Sequence, residues 1–437
     1  MLKKPKKIKS VSKKSGYTFI KKCKTISEYT LSNGLTVLYM EVKGTGVVTS
    51  NIVYTVGARD ERAGETGLAH MLEHMLFKPT ESDLTMKIDS GAMQFERETG
   101  CVLNANTWKD RTTYFFSYPK VHFARALAIE AGRMHGVVIS DKEFLPERNN
   151  VLSEFDMYFG DPYFALSVEM VCCTFHNHPY GHETIGFRED IERYTTPMLK
   201  AFYKRFYDPK NATLTIVGDI DEVTALAEVV HTFGIQESVG EVVRNIPAIE
   251  PKQEGLRRIS IERESTTNIV AFGFKHAGFP TKEWTQTQLL ASILTEGPDS
   301  ILHTKLVDTG LALKVEMSIE PTAEENVGML YVTLTKKATH AQIEKIVFDT
   351  IHALTSKDIT LLYKKVQQKI ITSEILGRES SLAITRELTE YISAGAWEEY
   401  FTTEATLKSI TPKDILQTSK KIFTENQMSI GHFIGKK

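Results

Sequence analysis

Residues 67–77 read Gly67-Leu68-Ala69-His70-Met71-Leu72-Glu73-His74-Met75-Leu76-Phe77. The composition favours a helix. On a helix, positions i and i+4 share a face, so His70 and His74 both reach one point in space. Glu73 stands one residue before the second imidazole, close enough to act on a water held at that point. Two imidazoles on one turn with a carboxylate beside them form the donor set of a hydrolytic zinc site. The order H-x-x-E-H is inverted relative to the commoner H-E-x-x-H. The competing account is a surface helix with two ordinary histidines. Leu68, Ala69, Met71, Leu72, Met75, Leu76 and Phe77 argue against it, because they bury the helix. Buried imidazoles and a buried carboxylate need partners, which a metal ion supplies.

A catalytic zinc site takes three protein ligands and keeps one position open. Residues 143–159, from Glu143 through Pro146, Glu147 and Glu154 to Phe159, read as a helix with the proline near its first turn. Glu147 and Glu154 are seven apart and share a face, and Glu143 shares part of it. Spacing alone neither chooses among the three nor separates them from solvated helix positions.

The H-x-x-E-H run followed by Glu147-Arg148, Val151 and Glu154 resembles the pitrilysin, or insulinase-type, family of zinc metallopeptidases. The chain looks most like the short bacterial and mitochondrial-processing-peptidase-like members. Other segments agree in order: Ser32-Asn33-Gly34-Leu35-Thr36-Val37, Val56-Gly57-Ala58-Arg59-Asp60-Glu61, Phe77-Lys78-Pro79-Thr80, Leu103-Asn104-Ala105-Asn106-Thr107, His178-Pro179-Tyr180-Gly181 and Ile216-Val217-Gly218-Asp219. The resemblance spans most of residues 28–235 and weakens after about residue 255. It implies that one Zn2+ is held by His70, His74 and Glu154, with Glu73 as general base and Glu147 as a supporting catalytic carboxylate. It also implies that Asn104, Ala105 and Thr107 lie on an edge strand along which a peptide substrate adds as a further strand. Phe77, one turn after His74, either lines the pocket beyond the scissile bond or packs in the core. The 80 residues between His74 and Glu154 exceed the family's usual separation, which points to a small insertion near Met86 to Cys101. His176, His178 and His182 form a histidine-rich loop that reads as structural or substrate-facing rather than as a second metal site.

The second half departs from the resemblance. Family members carry an arginine and a tyrosine flanking a Gly-Leu-Ala turn, and these grip the substrate backbone and the developing charge. Here the matching positions around Gly310-Leu311-Ala312 hold Val307 and Leu313, neither of which donates a side-chain hydrogen bond. The expectation is a zinc-bearing catalytic subunit of a heterodimer whose zinc-less paralogous partner supplies the Arg/Tyr pair, with a homodimer as the alternative.

The length of 437 residues suits two domains. Apolar content of 41%, charged content of 25% and a net charge of −2 are those of a soluble globular chain and point away from nucleic acid. No stretch approaches the apolar length of a membrane span. Four cysteines, Cys23, Cys101, Cys172 and Cys173, form no C-x-x-C pair and fit a reducing compartment. The expected location is the bacterial cytoplasm, with the mitochondrial matrix as the alternative. Residues 1–27 contain ten lysines and no acid and read as a basic, flexible tail.

Residues 28–235 alternate strands and helices as the zinc-binding domain, the polar stretch 236–255 with Pro247 and Pro251 reads as a linker, and 256–437 repeats the theme without metal ligands. The helix expected over Thr285 to Glu296 corresponds to the zinc helix but carries Gln288-Leu289-Leu290-Ala291-Ser292. The expected fold class is α+β: two homologous α/β-sandwich halves with mixed sheets and flanking helices, arranged as a clam-shell. The expected function is zinc-dependent endopeptidase activity on peptides or small unstructured proteins. The rival is a catalytically weak or inactive assembly subunit related to core subunits of respiratory complexes.

Overall fold

A computed structural model describes residues 16–238 and 249–436. The first half carries β1 (Tyr17–Cys23), β2 (Ile26–Leu31), β3 (Thr36–Glu41), β4 (Val47–Tyr54), β5 (Val102–Thr107), β6 (Thr112–Pro119) and β7 (Ala212–Gly218). The second carries β8 (Arg257–Glu264), β9 (Ile269–His276), β10 (Ala312–Ser318), β11 (Asn326–Leu334) and β12 (Ser429–Lys436). The helices of the first half are α1 (Leu68–Met75), α2 (Glu81–Met86), α3 (Gly91–Thr99), α4 (Phe123–Gly136), α5 (Asp141–Gly160), α6 (Pro162–Thr174), α7 (Arg188–Arg193), α8 (Thr196–Phe206) and α9 (Glu222–Phe233). Those of the second are α10 (Lys282–Thr295), α11 (His340–His352), α12 (Ser356–Leu376), α13 (Ser381–Ser393), α14 (Thr403–Ser409) and α15 (Pro412–Ile422).

The first sheet runs β1-β2-β3-β7-β4-β6-β5 and the second β10-β11-β9-β12-β8. Without β1 and β2 the two orders are the same: first strand, last, second, fourth, third. In each half the first and last strands pair in parallel, β3 with β7 and β8 with β12, and the other pairs are antiparallel. This repeated order is the two-half architecture read from the sequence, with two mixed sheets flanked by helices.

Each half lends a helix to the other. On one face of the first sheet, Tyr39, Ile52, Tyr54, Tyr114 and Phe116 pack in one core with Met71, Leu72 and Met75 of α1. Its other face, with Leu38, Val53 and Val217, is covered by Ile384, Leu388, Tyr391 and Ile392 of α13, from the second half. Reciprocally, Leu166 and Met170 of α6 cover Ile269, Ala271 and Phe433 of the second sheet. That approach is close enough that a Cβ on Gly431 would stand 2.5 Å from the Met170 sulfur. Burial on both faces explains why seven of the eight β4 residues are buried and why its pattern does not alternate. Buried polar pairs fix the register of α13 on the sheet: Asn51 Nδ2 donates to Thr389 Oγ1 at 2.8 Å, and the Thr49 and Ser381 hydroxyls lie 2.8 Å apart.

The flexible-tail expectation for residues 1–27 is corrected over its second part. Residues 1–15 lie outside the described residues, but Tyr17–Cys23 forms β1 on the edge of the first sheet, and β2 begins at Ile26. Tyr17 and Phe19 each meet the Tyr29 ring edge-on at 5.5 Å, and Lys21 pairs with Glu28 and Glu398. Lysine on an edge strand costs little, because its stem covers apolar surface while its charge stays in water. Of the expected linker, residues 239–248 lie outside the described residues. Glu250, in the described part of the linker, accepts hydrogen bonds from the backbone N–H groups of His176, Asn177 and His178. The stretch marked for an insertion, Met86 to Cys101, holds α3. Helix α5 starts two residues earlier than expected, so Pro146 falls in its second turn and costs one helical hydrogen bond.

Candidate metal centre

Helix α1 begins at Gly67, whose φ of 91° a side chain tolerates poorly and whose Cβ would meet the Ile185 carbonyl oxygen at 2.3 Å. Its free amide ends are met by a carboxylate from outside the helix. Glu61 Oε2 accepts from Gly67 N at 2.7 Å and Oε1 from Ala69 N at 2.8 Å. His182 Nε2 lies 2.9 Å from the same Glu61. Asp190 accepts from Thr66 N at 3.2 Å and Thr66 Oγ1 at 2.7 Å, and Tyr194 donates to the Thr66 carbonyl. Of the histidine-rich loop, His182 therefore clamps the start of α1, together with Asp190 and Tyr194. His178 belongs to a second cluster, with Nε2 2.9 Å from Glu324 of the second half. Among the described residues no metal-holding group includes either histidine.

Helices α1 and α5 pack together and bring His70, His74 and Glu154 to one place. One donor atom from each lies within 4.8 Å of the other two. His74 Nε2 stands 3.5 Å and His70 Nε2 3.9 Å from Glu154 Oε2. Donors of a tetrahedral zinc site with bonds near 2.1 Å stand about 3.4 Å apart, so the residues fit the ion in number, chemistry and spacing. The two imidazole centroids are 4.7 Å apart, with the rings crossed at 79°.

Glu147 is not part of this donor group. It faces the other nitrogen of His74, with Oε1 3.1 Å from Nδ1. With a metal bound at Nε2, that bond would keep the ring's one proton on Nδ1. Glu147 is itself gripped by Lys78, one turn after His74, and by Asn150 Nδ2 at 3.3 Å. The His74 hydrogen bond, followed by the Lys78 and Asn150 contacts, holds the Glu147 carboxyl down to about 2. Burial works against charge on His74, but the hydrogen bonds of Glu147 and Glu154 outweigh it and raise it to about 9. Burial and the neighbouring His74 lower His70 to about 4, which keeps its imidazole neutral and able to ligate. Hydrogen bonding to His74 lowers Glu154, with help from His70 and from the Tyr158 phenol one turn along α5.

Glu73 lies on the same turn of α1. Burial raises its carboxyl, against the hydrogen bond that Thr107 Oγ1 donates to its Oε2 at 2.6 Å. A desolvated carboxylate of raised basicity beside a metal donor group is the environment a general base needs.

The four residues expected to touch substrate fall in different settings. Among the described residues, strand β5 is an edge of the first sheet and pairs only with β6. Asn104 is exposed, and its Oδ1 accepts from the Ala105 N–H at 2.8 Å. Ala105 is buried, and Thr107 is committed to Glu73. The half-buried Phe77 packs its ring on Tyr114, centroids 6.3 Å apart, beneath the buried Arg133 guanidinium at 5.5 Å. Val307 is partly buried on the second core, and Leu313, on the edge strand β10, is 68% exposed.

Sequence reasoning missed Lys78, Asn150 and Tyr158. The i+4 spacings of His74 to Lys78 and of Glu154 to Tyr158 were the available signals. It also missed Glu61 as the cap of α1, for which only the three-dimensional approach gives a signal.

Residues 36–186 match the family described as Insulinase (Peptidase family M16), and residues 193–361 match the Peptidase M16 inactive domain. Among curated proteins, the zinc protease PqqE of Helicobacter pylori is 27% identical over 406 residues, covering 91% of this chain and 90% of that protein. Among solved structures, a protease from Helicobacter pylori superposes with a TM-score of 0.87 at 25% identity, covering 94% of this chain and 99% of that one. A chain of Complex III2 from Candida albicans, with Inz-5 bound, shares the fold alone: TM-score 0.76, 11% identity, 93% of this chain and 95% of that one.

Proposed function

The chain belongs to the M16 family of zinc metalloproteases, and on that premise we propose that it is an endopeptidase cleaving peptides or small unstructured proteins. The observation that carries this reading is the convergence of His70, His74 and Glu154 beside the half-buried carboxylate of Glu73. His70, His74 and Glu154 would hold a zinc ion, which when bound would supply the charge that polarises a scissile carbonyl and acidifies water. Glu73 takes the proton of the attacking water and returns it to the leaving amine. Glu147 keeps His74 in the ligating tautomer. The free edge of β5 accepts the peptide as an added strand, with Asn104 swinging off the Ala105 N–H so that a substrate carbonyl takes its place. Phe77 forms part of the wall beyond the scissile bond.

The active unit in this proposal is a heterodimer. Val307 and Leu313 stand where an arginine and a tyrosine are needed, so a zinc-less paralogous chain supplies that pair across the substrate cleft. A homodimer would bring the same aliphatic residues and leave the developing negative charge to zinc alone. The test is cleavage of a quenched fluorescent peptide by this chain alone and with a candidate paralogue. Turnover that rises at least tenfold on mixing supports the heterodimer, and full turnover alone removes it. The four free cysteines support a reducing compartment, the cytoplasm. No described helix is long and apolar enough to cross a membrane.

The alternative, an assembly subunit without activity, has behind it the fold likeness to the Complex III2 chain. Retention of all three donors together with Glu73, Glu147 and Lys78 favours the enzyme.

A further inference from the structure

Thr107 ends the strand on which substrate is proposed to lie, yet its side chain points at the catalytic carboxylate. Its Oγ1 donates to Glu73 Oε2 at 2.6 Å. The direction of the bond follows from the proton inventory. A threonine hydroxyl has one proton. The nearest other partner is Thr112 Oγ1 at 3.4 Å, and Thr112 sends its own proton to the Val56 carbonyl at 2.9 Å. The single Thr107 proton therefore goes to the shorter bond and to the charged acceptor.

The two ends of this bond differ in stiffness. Glu73 stands on α1 and has three side-chain torsions of its own. Thr107 is β-branched, with one short torsion, and is held in register opposite Thr112. The hydroxyl occupies Oε2 and leaves Oε1 as the oxygen able to face an attacking water. Strand β5 has one free edge, and pairing with a peptide would stiffen it along its length. Ala105 shares the face of Thr107, whereas Asn106 faces the other way, onto Arg111, which pairs with Glu390 of α13.

We propose that Thr107 is a positioning residue: it fixes the aim of the Glu73 carboxylate and links docking of a peptide on β5 to that aim. The proposal rests on the reading of Glu73 as general base. It replaces the expectation that the Thr107 side chain contacts substrate.

The test compares Thr107→Val, which keeps the shape and loses the donor, with Thr107→Ser, which keeps the donor, using the full chain in its active assembly. Zinc per chain, kcat and KM on one peptide are measured for each, and the Thr107→Val/Glu73→Gln double variant completes a cycle. The expected result is one zinc per chain throughout and KM within about twofold of wild type. The kcat should fall about 10–100-fold for valine and stay within about threefold for serine, and valine should cause no further loss on the Glu73→Gln background. Three results would overturn the proposal: a valine variant with wild-type kcat, a rise in KM at constant kcat, or a serine variant as impaired as valine. Zinc loss in the valine variant would do so as well, by making the residue part of the metal site. Full activity of Glu73→Gln alone would instead remove the general-base reading on which the proposal stands.

Discussion

Glu147 Oε1 stands 3.1 Å from Nδ1 of His74, on the side of the ring away from Glu154. The same carboxylate takes the Lys78 ammonium on its other oxygen. Residues that orient a metal-bound histidine typically change metal affinity 10–100-fold when altered. Glu147→Gln is expected to weaken zinc binding by about that factor, read by competition with a chromogenic chelator. An affinity equal to wild type would show that His74 needs no such support.

Removing a ligand tests the donor set itself. A zinc ion held by the folded chain would stabilise it by mass action. Chelation should lower the melting temperature of the wild type, and zinc should restore it. His70→Ala and Glu154→Gln should purify with little zinc and melt at one temperature with or without chelator. A Glu154→Gln protein that kept a full equivalent of zinc would move the third ligand elsewhere.

The reciprocal exchange of α6 and α13 predicts that the halves unfold together. Leu388 on α13 is fully buried against the first sheet. Leu388→Ala removes three carbons from that interface and should cost about 2–5 kcal/mol. Chemical denaturation should show one transition, shifted to lower denaturant. Two separated transitions in the wild type would contradict the shared core.

Glu374 on α12 carries a pH prediction remote from the metal. Burial and the neighbouring Glu387 raise its carboxyl to about 7. A folded value above the unfolded value of about 4.3 means the folded chain binds more protons between the two. The stabilisation is complete below about pH 4 and is lost as pH rises through 7. Glu374→Gln should therefore gain on the order of 1–2 kcal/mol at pH 8, the side chain being partly solvated, and close to nothing at about pH 4. Thermal melts of both proteins at the two values check this, and equal differences at both would contradict it.

The parts of the structure legible in the sequence are those written in local spacing. His70, Glu73 and His74 declare themselves by helical period, and the alternation of strands and helices over residues 28–235 is written in the apolar pattern. Glu154 was separable from Glu143 and Glu147 only through the family resemblance, because three acids on one face of α5 look alike until α1 packs against them. β1 was missed because three of its seven residues are Lys21, Lys22 and Cys23, and its ordering depends on Tyr29 in the next strand. The exchange of α6 and α13 was illegible for the same kind of reason. A helix's apolar face records that it is buried, not which sheet buries it. The hydrogen bond of Thr107 to Glu73 was illegible too, since the strand pattern gives the residue's face and not the carboxylate that waits there.

The central claim is that this chain hydrolyses peptide bonds with Glu73 as the base at a zinc ion held by His70, His74 and Glu154. The most direct measurement is peptide cleavage by wild type and Glu73→Gln in the same assembly, with zinc content determined on the same samples. The account predicts one zinc per chain in both and a kcat lower by about 10²–10⁴-fold in the variant. Equal turnover in the two proteins, with zinc retained, would contradict it.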